Sequence, residues 1–213
     1  TFNCIDPEIE ELLLLKSQRT PENRRIDKLD YSMAYNDAFM EAVIANSEWR
    51  LYDYHKSPEM YEVMHLSSKE YNALALLHEP VKTINARTLL KMFLTTRMET
   101  GRLYCFNLTR ANEHTPFIDL IKLSNLCQEI CLPTEAYPSM DDLYQDGLSQ
   151  GETAFCSLSA INVTNMTDEE YAEVAKIAVY GINKLIDKAP MMTGSMKHWI
   201  QKRRSIGIGI TGL

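Results

Sequence analysis

Ser124-Asn125-Leu126-Cys127-Gln128-Glu129-Ile130 sets three chemically active side chains at alternate positions. On an extended chain, residues i, i+2 and i+4 project to one face, so Asn125, Cys127 and Glu129 present an amide, a thiol and a carboxylate together. Leu126, Gln128 and Ile130 take the opposite face. An amide or carboxylate buried without a partner is costly, so the first face is not an ordinary core face. Alternation alone leaves two readings open: a functional face, and a surface strand with an incidental cysteine.

The pattern predicts an extended element over Ser124 to Leu132, then an acidic connecting chain from Pro133 to Gly151 and another apolar extended segment from Thr153 to Val163. Thr167 to Lys188 predicts a long helix: Thr167 and Glu170 form a capping box, Tyr171, Val174, Ala178, Ile182 and Leu185 give a buried stripe, and Pro190 ends it. Ser205 to Ile210 predicts a final strand. On the other side, Leu103 to Asn107 reads as a strand and Arg110 to Thr115 as a polar loop. Asn85 to Thr100 predicts a helix capped by Asn85 and ended by Gly101, with Leu89, Leu90, Phe93, Leu94 and Met98 as its apolar face. Helical spacing also covers Tyr31 to Asn46, with Met33, Phe39, Met40 and Val43 on one side. Ser57-Pro58-Glu59 opens a short helical segment, and Ser67 to Leu77 forms another, closed by Pro80. Ile9 to Leu15 is an apolar run, and Lys16 to Lys28 is a polar, basic loop broken by Pro21. Strands separated by long helices point to an α/β layer or barrel.

Apolar residues make up 45% of the 213 and charged residues 24%, with eight glycines and eight prolines, which excludes a disordered or fibrous chain and suffices for a core. No apolar run reaches the length of a bilayer span and no signal-peptide pattern opens the sequence, so a soluble, cytoplasmic protein without a membrane partner is expected. The net charge of -7 argues against a nucleic-acid partner, and the basic stretches Arg19 to Lys28 and Lys197 to Arg204 read as solvated surface. Cys4, Cys105, Cys127, Cys131 and Cys156 are odd in number and unpaired in spacing, so reduced thiols are expected rather than a disulfide framework. Neither they nor the scattered His55, His65, His78, His114 and His198 make a metal-binding set. Gly207-Ile208-Gly209-Ile210-Thr211-Gly212 has the letters of a dinucleotide fingerprint. Its glycines alternate with isoleucines inside the final strand rather than opening a helix, so no nucleotide site is expected there. The chain opens without methionine and stops in that apolar stretch, and so reads as an internal piece of a longer polypeptide.

Ser124 to Ile130, continued by Leu132-Pro133-Thr134, resembles the Ser-Asn-Leu-Cys-x-Glu-Ile signature of class I ribonucleotide reductase large subunits. Further segments follow in the family's order. They are Leu14-Leu15-Lys16 through Asp30-Tyr31, Thr100-Gly101-Arg102 with Tyr104 and Asn107, Asn112 with His114 and Pro116-Phe117, Cys156-Ser157-Leu158-Ser159, and Arg203-Arg204 through Gly209. The resemblance implies an α/β fold, helix-rich, forming part of the family's ten-stranded α/β barrel. Residues 1–213 are then a partial catalytic barrel domain without the ATP-cone, with Cys127 at the tip of a loop inside the barrel.

The resemblance further implies reduction of ribonucleoside diphosphates to 2′-deoxyribonucleoside diphosphates. Cys127 is implied to be the thiyl radical that removes the 3′ hydrogen, Glu129 the base for the 3′-hydroxyl, and Asn125 the holder of the ribose hydroxyls, with Ser124 and Leu158 also on the substrate. Cys156 is implied to be one of the redox pair, while Cys4, Cys105 and Cys131 match no catalytic cysteine and are expected to pack. Lys16 to Lys28 corresponds to the loop that senses the dNTP or ATP effectors of the intact subunit, through Arg24 or Arg25. No cofactor is held directly: the radical comes from a metal-containing small (beta) subunit, and thioredoxin or glutaredoxin supplies electrons. The second redox cysteine and the phosphate loop have no match in these residues, so the isolated chain is expected to be inactive. The alternative is a non-catalytic fragment that serves only as a binding or assembly module with complementary large-subunit segments.

Overall fold

The computed structural model describes all residues except 146–148 and 165, in two units, Thr1–Leu132 and Pro133–Leu213. In the first unit, strand β1 (Phe2–Asn3) leads to helix α1 (Ile9–Leu14), and β2 (Tyr31–Tyr35) to α2 (Asp37–Ala45). Strand β3 (Glu48–Leu51), helices α3 (Pro58–Glu62) and α4 (Ser68–Ala75), strand β4 (Lys82–Asn85), helix α5 (Ala86–Thr100), strand β5 (Leu103–Asn107) and helix α6 (Leu108–Glu113) follow. Strands β1, β2 and β5 form a parallel sheet with β2 in the centre, where Phe2 pairs with Met33 and Tyr31 to Tyr35 pair with Leu103 to Asn107. β3 and β4 pair antiparallel, Glu48 opposite Asn85 and Leu51 opposite Lys82. Parallel strands need crossover connections, and α2 to α5 lie on the crossover from β2 to β5, which is the α/β arrangement expected.

Helix boundaries follow from side-chain caps. Asn85 accepts from Thr88 N at 3.0 Å, and Gly101 closes α5 with a φ of 66°. Ser67 and Glu70 complete a capping box on α4, and Pro58 occupies the first turn of α3. Two expectations fail. Tyr31 to Tyr35 is strand rather than helix, because Asn36 starts the helix by accepting from Phe39 N at 3.0 Å and the preceding residues are claimed by β1 and β5. Arg110 to Thr115 is not simply loop, because Asn107 caps α6 through Arg110 N at 3.1 Å.

The core of this unit joins Ile5, Ile9, Leu13, Met33, Phe39, Trp49, Tyr71 and Leu89. Trp49 stacks on Tyr71 with centroids 5.6 Å apart, takes the Phe39 ring edge-on at 5.2 Å, and donates through Nε1 to the Cys4 carbonyl at 3.0 Å. Each such buried side chain contributes about 1.5–3 kcal/mol through burial alone. Cys4 packs here as expected and its thiol is pushed up by burial, and Cys131 packs against the same core. Cys105 does not pack: it is exposed on β5. Leu94 and Met98 of the expected α5 face are exposed as well, and Ala86, Leu89, Phe93 and Thr96 form the buried stripe.

In the second unit, helix α7 (Met140–Tyr144) interrupts the expected connecting chain, part of which (146–148) lies outside the described residues. Strand β6 (Ser157–Asn162), helices α8 (Asp168–Lys188) and α9 (Gly194–Arg203), and strand β7 (Ile206–Thr211) follow. β6 and β7 pair in parallel from Ser157–Ile206 to Asn162–Thr211, another crossover unit. Thr167 and Glu170 make the expected capping box on α8. The buried positions late in that helix are Ile182 and Ile186, whereas Leu185 is exposed.

Lys197 to Arg204 is not wholly solvated surface. Arg203 reaches the buried Glu152 at 2.7 Å and Lys202 pairs with the same carboxylate, while Trp199 donates to the Pro133 carbonyl at 2.8 Å. Burial alone would raise the Glu152 carboxyl, and the hydrogen bonds from Lys202 and Arg203 overcome it and hold it below the usual range. Because its folded pKa is depressed, the stabilisation is complete above the ordinary Glu value of about 4.3 and is lost as pH falls through the folded value. Glu152→Gln leaves Arg203 buried beside a neutral amide and is expected to lower stability to urea by about 3 kcal/mol near pH 7. Lys202→Ala, at a half-exposed position, is expected to cost under about 1 kcal/mol. Equal small losses would show that Glu152 is not the anchor.

Candidate functional site

The segment carrying Cys127 begins at a clamp. Asn112 of α6 donates through Nδ2 to the carbonyls of Leu108 and Ile121 and accepts Ile121 N at 2.8 Å, fixing the buried Ile121. Beyond it the chain forms a closed turn instead of the expected strand. Gln128 N donates to the Asn125 carbonyl at 3.2 Å, Asn125 Oδ1 accepts Ile130 N at 3.0 Å, and Ser124 Oγ donates to the Ile130 carbonyl at 2.7 Å. The physical reason is local competition: Asn and Ser side chains offer the backbone partners that a neighbouring strand would otherwise supply. Asn125, Cys127 and Glu129 therefore lie on a closed turn and not on one face of an extended strand.

Cys127 and Glu129 are exposed, and Asn125 is half-buried with its oxygen engaged by Ile130. Gln128 adopts a φ of 70°, a left-handed conformation that costs a residue with a Cβ about 1–3 kcal/mol. Its Nε2 donates to Ser32 Oγ on β2 at 2.7 Å. Below the turn, Cys131 is half-buried, and burial raises its thiol while a hydrogen bond with Ser124 works against that rise. Sequence reasoning had no role for Gln128 or Ser32. The available signal was a serine inside the apolar run Tyr31 to Tyr35.

The basic loop is fastened at its base. Lys16, 7% exposed, meets Asp30 at 2.7 Å, and Ile26 N donates to the Leu15 carbonyl at 2.9 Å. Lys16 lies 5.5 Å above the Tyr31 ring. Arg19 reaches Glu99 of α5 at 2.6 Å. Arg24 is exposed at the end of a 3-10 turn, Glu22–Arg24, and Arg25 donates to Gln18 Oε1 at 2.6 Å. The Lys16 hydrogen bond holds the Asp30 carboxyl below its usual range.

In the second unit, Cys156 is half-buried immediately before β6, and Leu158 on β6 is largely exposed. Gly207 pairs with Leu158, and a Cβ there would fall 2.7 Å from Leu158 Cδ2. Gly207 thus lets the strand pass close to Leu158. Residues 207–211 are strand, so the fingerprint letters do not open a helix here. Among the described residues, no group of three or more His, Cys, Asp or Glu side chains is gathered as a metal site. No helix among them is long and apolar enough to cross a membrane.

Parallel strands joined by helical crossovers define an α/β protein, and the exposed Cys127 stands on a turn closed by its own side chains. The chain belongs to the ribonucleotide reductase barrel-domain family, whose model, described as "Ribonucleotide reductase, barrel domain", matches residues 1–213. It is similar to proteins named ribonucleoside-diphosphate reductase subunit alpha. That of Haemophilus influenzae is 32% identical over 95% of this chain and 27% of the relative. That of Buchnera aphidicola (Acyrthosiphon pisum) is 29% identical with the same coverage. That of Enterobacteria phage T4 is 30% identical over 96% of this chain and 27% of the relative. The chain therefore spans about a quarter of the length of these relatives.

The fastened base yields a measurable property. With Asp30 replaced by Asn, Lys16 keeps its charge without its counter-ion, and the loop base loses a charge-assisted hydrogen bond. Asp30→Asn is expected to speed tryptic cleavage after Arg24, Arg25 and Lys28 several-fold while cleavage after Arg87 in α5 is unchanged. Because the Asp30 pKa is depressed, the native fastening persists at pH 5 and releases only below the usual Asp range. Unchanged loop cleavage in Asp30→Asn would show that the ion pair does not hold the loop.

Proposed function

We propose that this chain is the part of a ribonucleoside-diphosphate reductase alpha subunit that carries the radical thiol. The observation that carries this reading is Cys127 exposed on the tied turn within the family's signature residues. In the complete subunit Cys127, as a thiyl, takes the hydrogen from C3′ of a ribonucleoside diphosphate. Glu129 accepts the 3′-hydroxyl proton as general base, and water departs from C2′. Cys156 and a second thiol supply two electrons and two protons, closing to a disulfide. Cys127 then returns its hydrogen to C3′ and is again a thiyl. The net change is ribonucleotide plus dithiol to deoxyribonucleotide, disulfide and water.

Asn125 orients the ribose hydroxyls in this scheme, with its Oδ1 tied to Ile130 and its amide N–H groups suited to donate. Ser124 and Leu158 complete the substrate contacts. Arg24 and Arg25, on the basic loop, relay which dNTP or ATP effector is bound. The radical originates in a metal-containing small subunit, and thioredoxin or glutaredoxin reopens the disulfide. The assembly works in the cytoplasm, and complementary alpha-subunit segments complete a ten-stranded barrel around these residues. This chain alone is expected to give no deoxynucleotide with substrate, small subunit and dithiothreitol.

The roles of the two cysteines separate in the complete subunit. An alcohol is a far poorer hydrogen-atom partner than a thiol, so Cys127→Ser is expected to abolish tritium release from substrate labelled at C3′. Cys156→Ser is expected to retain release while yielding free base or damaged nucleotide in place of deoxynucleotide. Release from Cys127→Ser at the unmodified rate would overturn the assignment.

A further inference from the structure

Gln128 occupies the unspecified position of the signature and has no part in the proposed chemistry. Its backbone is in the left-handed region, at a φ of 70°, and its N–H closes the turn onto Asn125. Its carboxamide leaves the turn and meets the hydroxyl of Ser32, a 6% exposed residue of the central strand β2. Among the described residues, this is the only side-chain hydrogen bond from 126–129 to the sheet. The other carboxamide atom, Oε1, is enclosed without a hydrogen-bond partner. Leu126, Cys127 and Glu129 around it are exposed.

A strained backbone and an enclosed, half-satisfied amide both carry a cost, and they persist only where the surrounding structure over-determines the conformation. The compensation here is positional. The bonds of Ser124 and Asn125 to Ile130 tie the neck of the turn to itself, which shapes it without placing it. The Gln128–Ser32 bond refers the tip to the sheet. Cys127 immediately precedes the tethered residue, so one rigid peptide separates the thiol-bearing Cα from the anchored one. Ser32 in turn is held on both sides of its strand, in register with Tyr104 of β5 and next to Met33, which pairs with Phe2 of β1.

We propose that Gln128 is a positioning residue that sets Cys127 for hydrogen abstraction by tethering the tip of its turn to Ser32 of β2. This rests on the reading of Cys127 as the reacting thiol. Near-attack geometry is sensitive to displacements of about 1 Å, so a tether one residue from the reacting atom acts on rate more than on substrate affinity.

The first measurement is amide hydrogen exchange in the 213-residue chain, which involves no nucleotide. Gln128→Leu and Ser32→Ala are each expected to speed exchange at the N–H groups of Gln128 and Ile130 about fivefold, the loss of one hydrogen bond's worth of protection. The double variant is expected to go no further, because the two side chains make one bond. Ser32→Thr, which keeps the hydroxyl, restores protection, and the amides of Leu103 to Asn107 stay unchanged throughout. Unaltered exchange in both single variants, or additive losses in the double, would overturn the tether. In the complete subunit, Gln128→Leu is expected to lower the rate of C3′ label release about fivefold at saturating substrate, with KM within about twofold. A change confined to KM would overturn the positioning role. Absence of label release from the unmodified subunit would instead refute the reading of Cys127, and the exchange result would still decide the tether.

Discussion

The parallel pairing of β2 with β1 on one side and β5 on the other is the constraint on which the rest of the first unit depends. A parallel strand cannot turn back on its neighbour, so each strand must be followed by a crossover, and the chain is committed to helices packed against the sheet. Because β2 is enclosed, its short sequence has to serve several neighbours. Met33 and Ala34 fill the core, while Ser32 offers a hydroxyl to the turn at Gln128. Two residues earlier, Asp30 holds Lys16 and fastens the basic loop. The basic loop and the Cys127 turn are thus both referred to the start of one strand, three consecutive residues carrying the ion pair, the ring beneath Lys16 and the tether.

Several enclosed charged and polar groups serve placement. The carboxylate at Glu152, the ammonium at Lys16 and the amide at Gln128 each sit where apolar residues would fill space, and each fixes a connection that lacks regular secondary structure. Removing one partner of such a pair is costly because the other is left behind without water. That cost makes a loop conformation specific even where few apolar contacts support it.

Elements with their own local signals were legible in the sequence. Thr167 with Glu170, Asn85 with Gly101 and Pro58 each announce a helix end through backbone groups a few residues away. Elements whose identity depends on distant partners were not. Tyr31 to Tyr35 satisfies both a strand and a helix period, and only pairing with Leu103 to Asn107 decides between them. The short β3 and β4 carry no alternation strong enough to be seen without each other. For the candidate site, motif order singled out Cys127, whereas the strand period assigned the wrong geometry, since Asn125 and Ser124 close the chain on itself. Gln128 was placed with the apolar face, and nothing local to it reveals a hydroxyl 96 positions away.

Cys127 stands on a closed turn anchored to the sheet, and solution NMR of the chain across Ser124 to Leu132 tests this most directly. A left-handed Gln128 gives a strong intraresidue contact between its amide and α protons, and the Gln128 and Ile130 amides show cross-hydrogen-bond couplings to Asn125. A run of extended-chain signatures through Asn125, Cys127 and Glu129, with no such contact at Gln128, would contradict the turn and the placement of the thiol that depends on it.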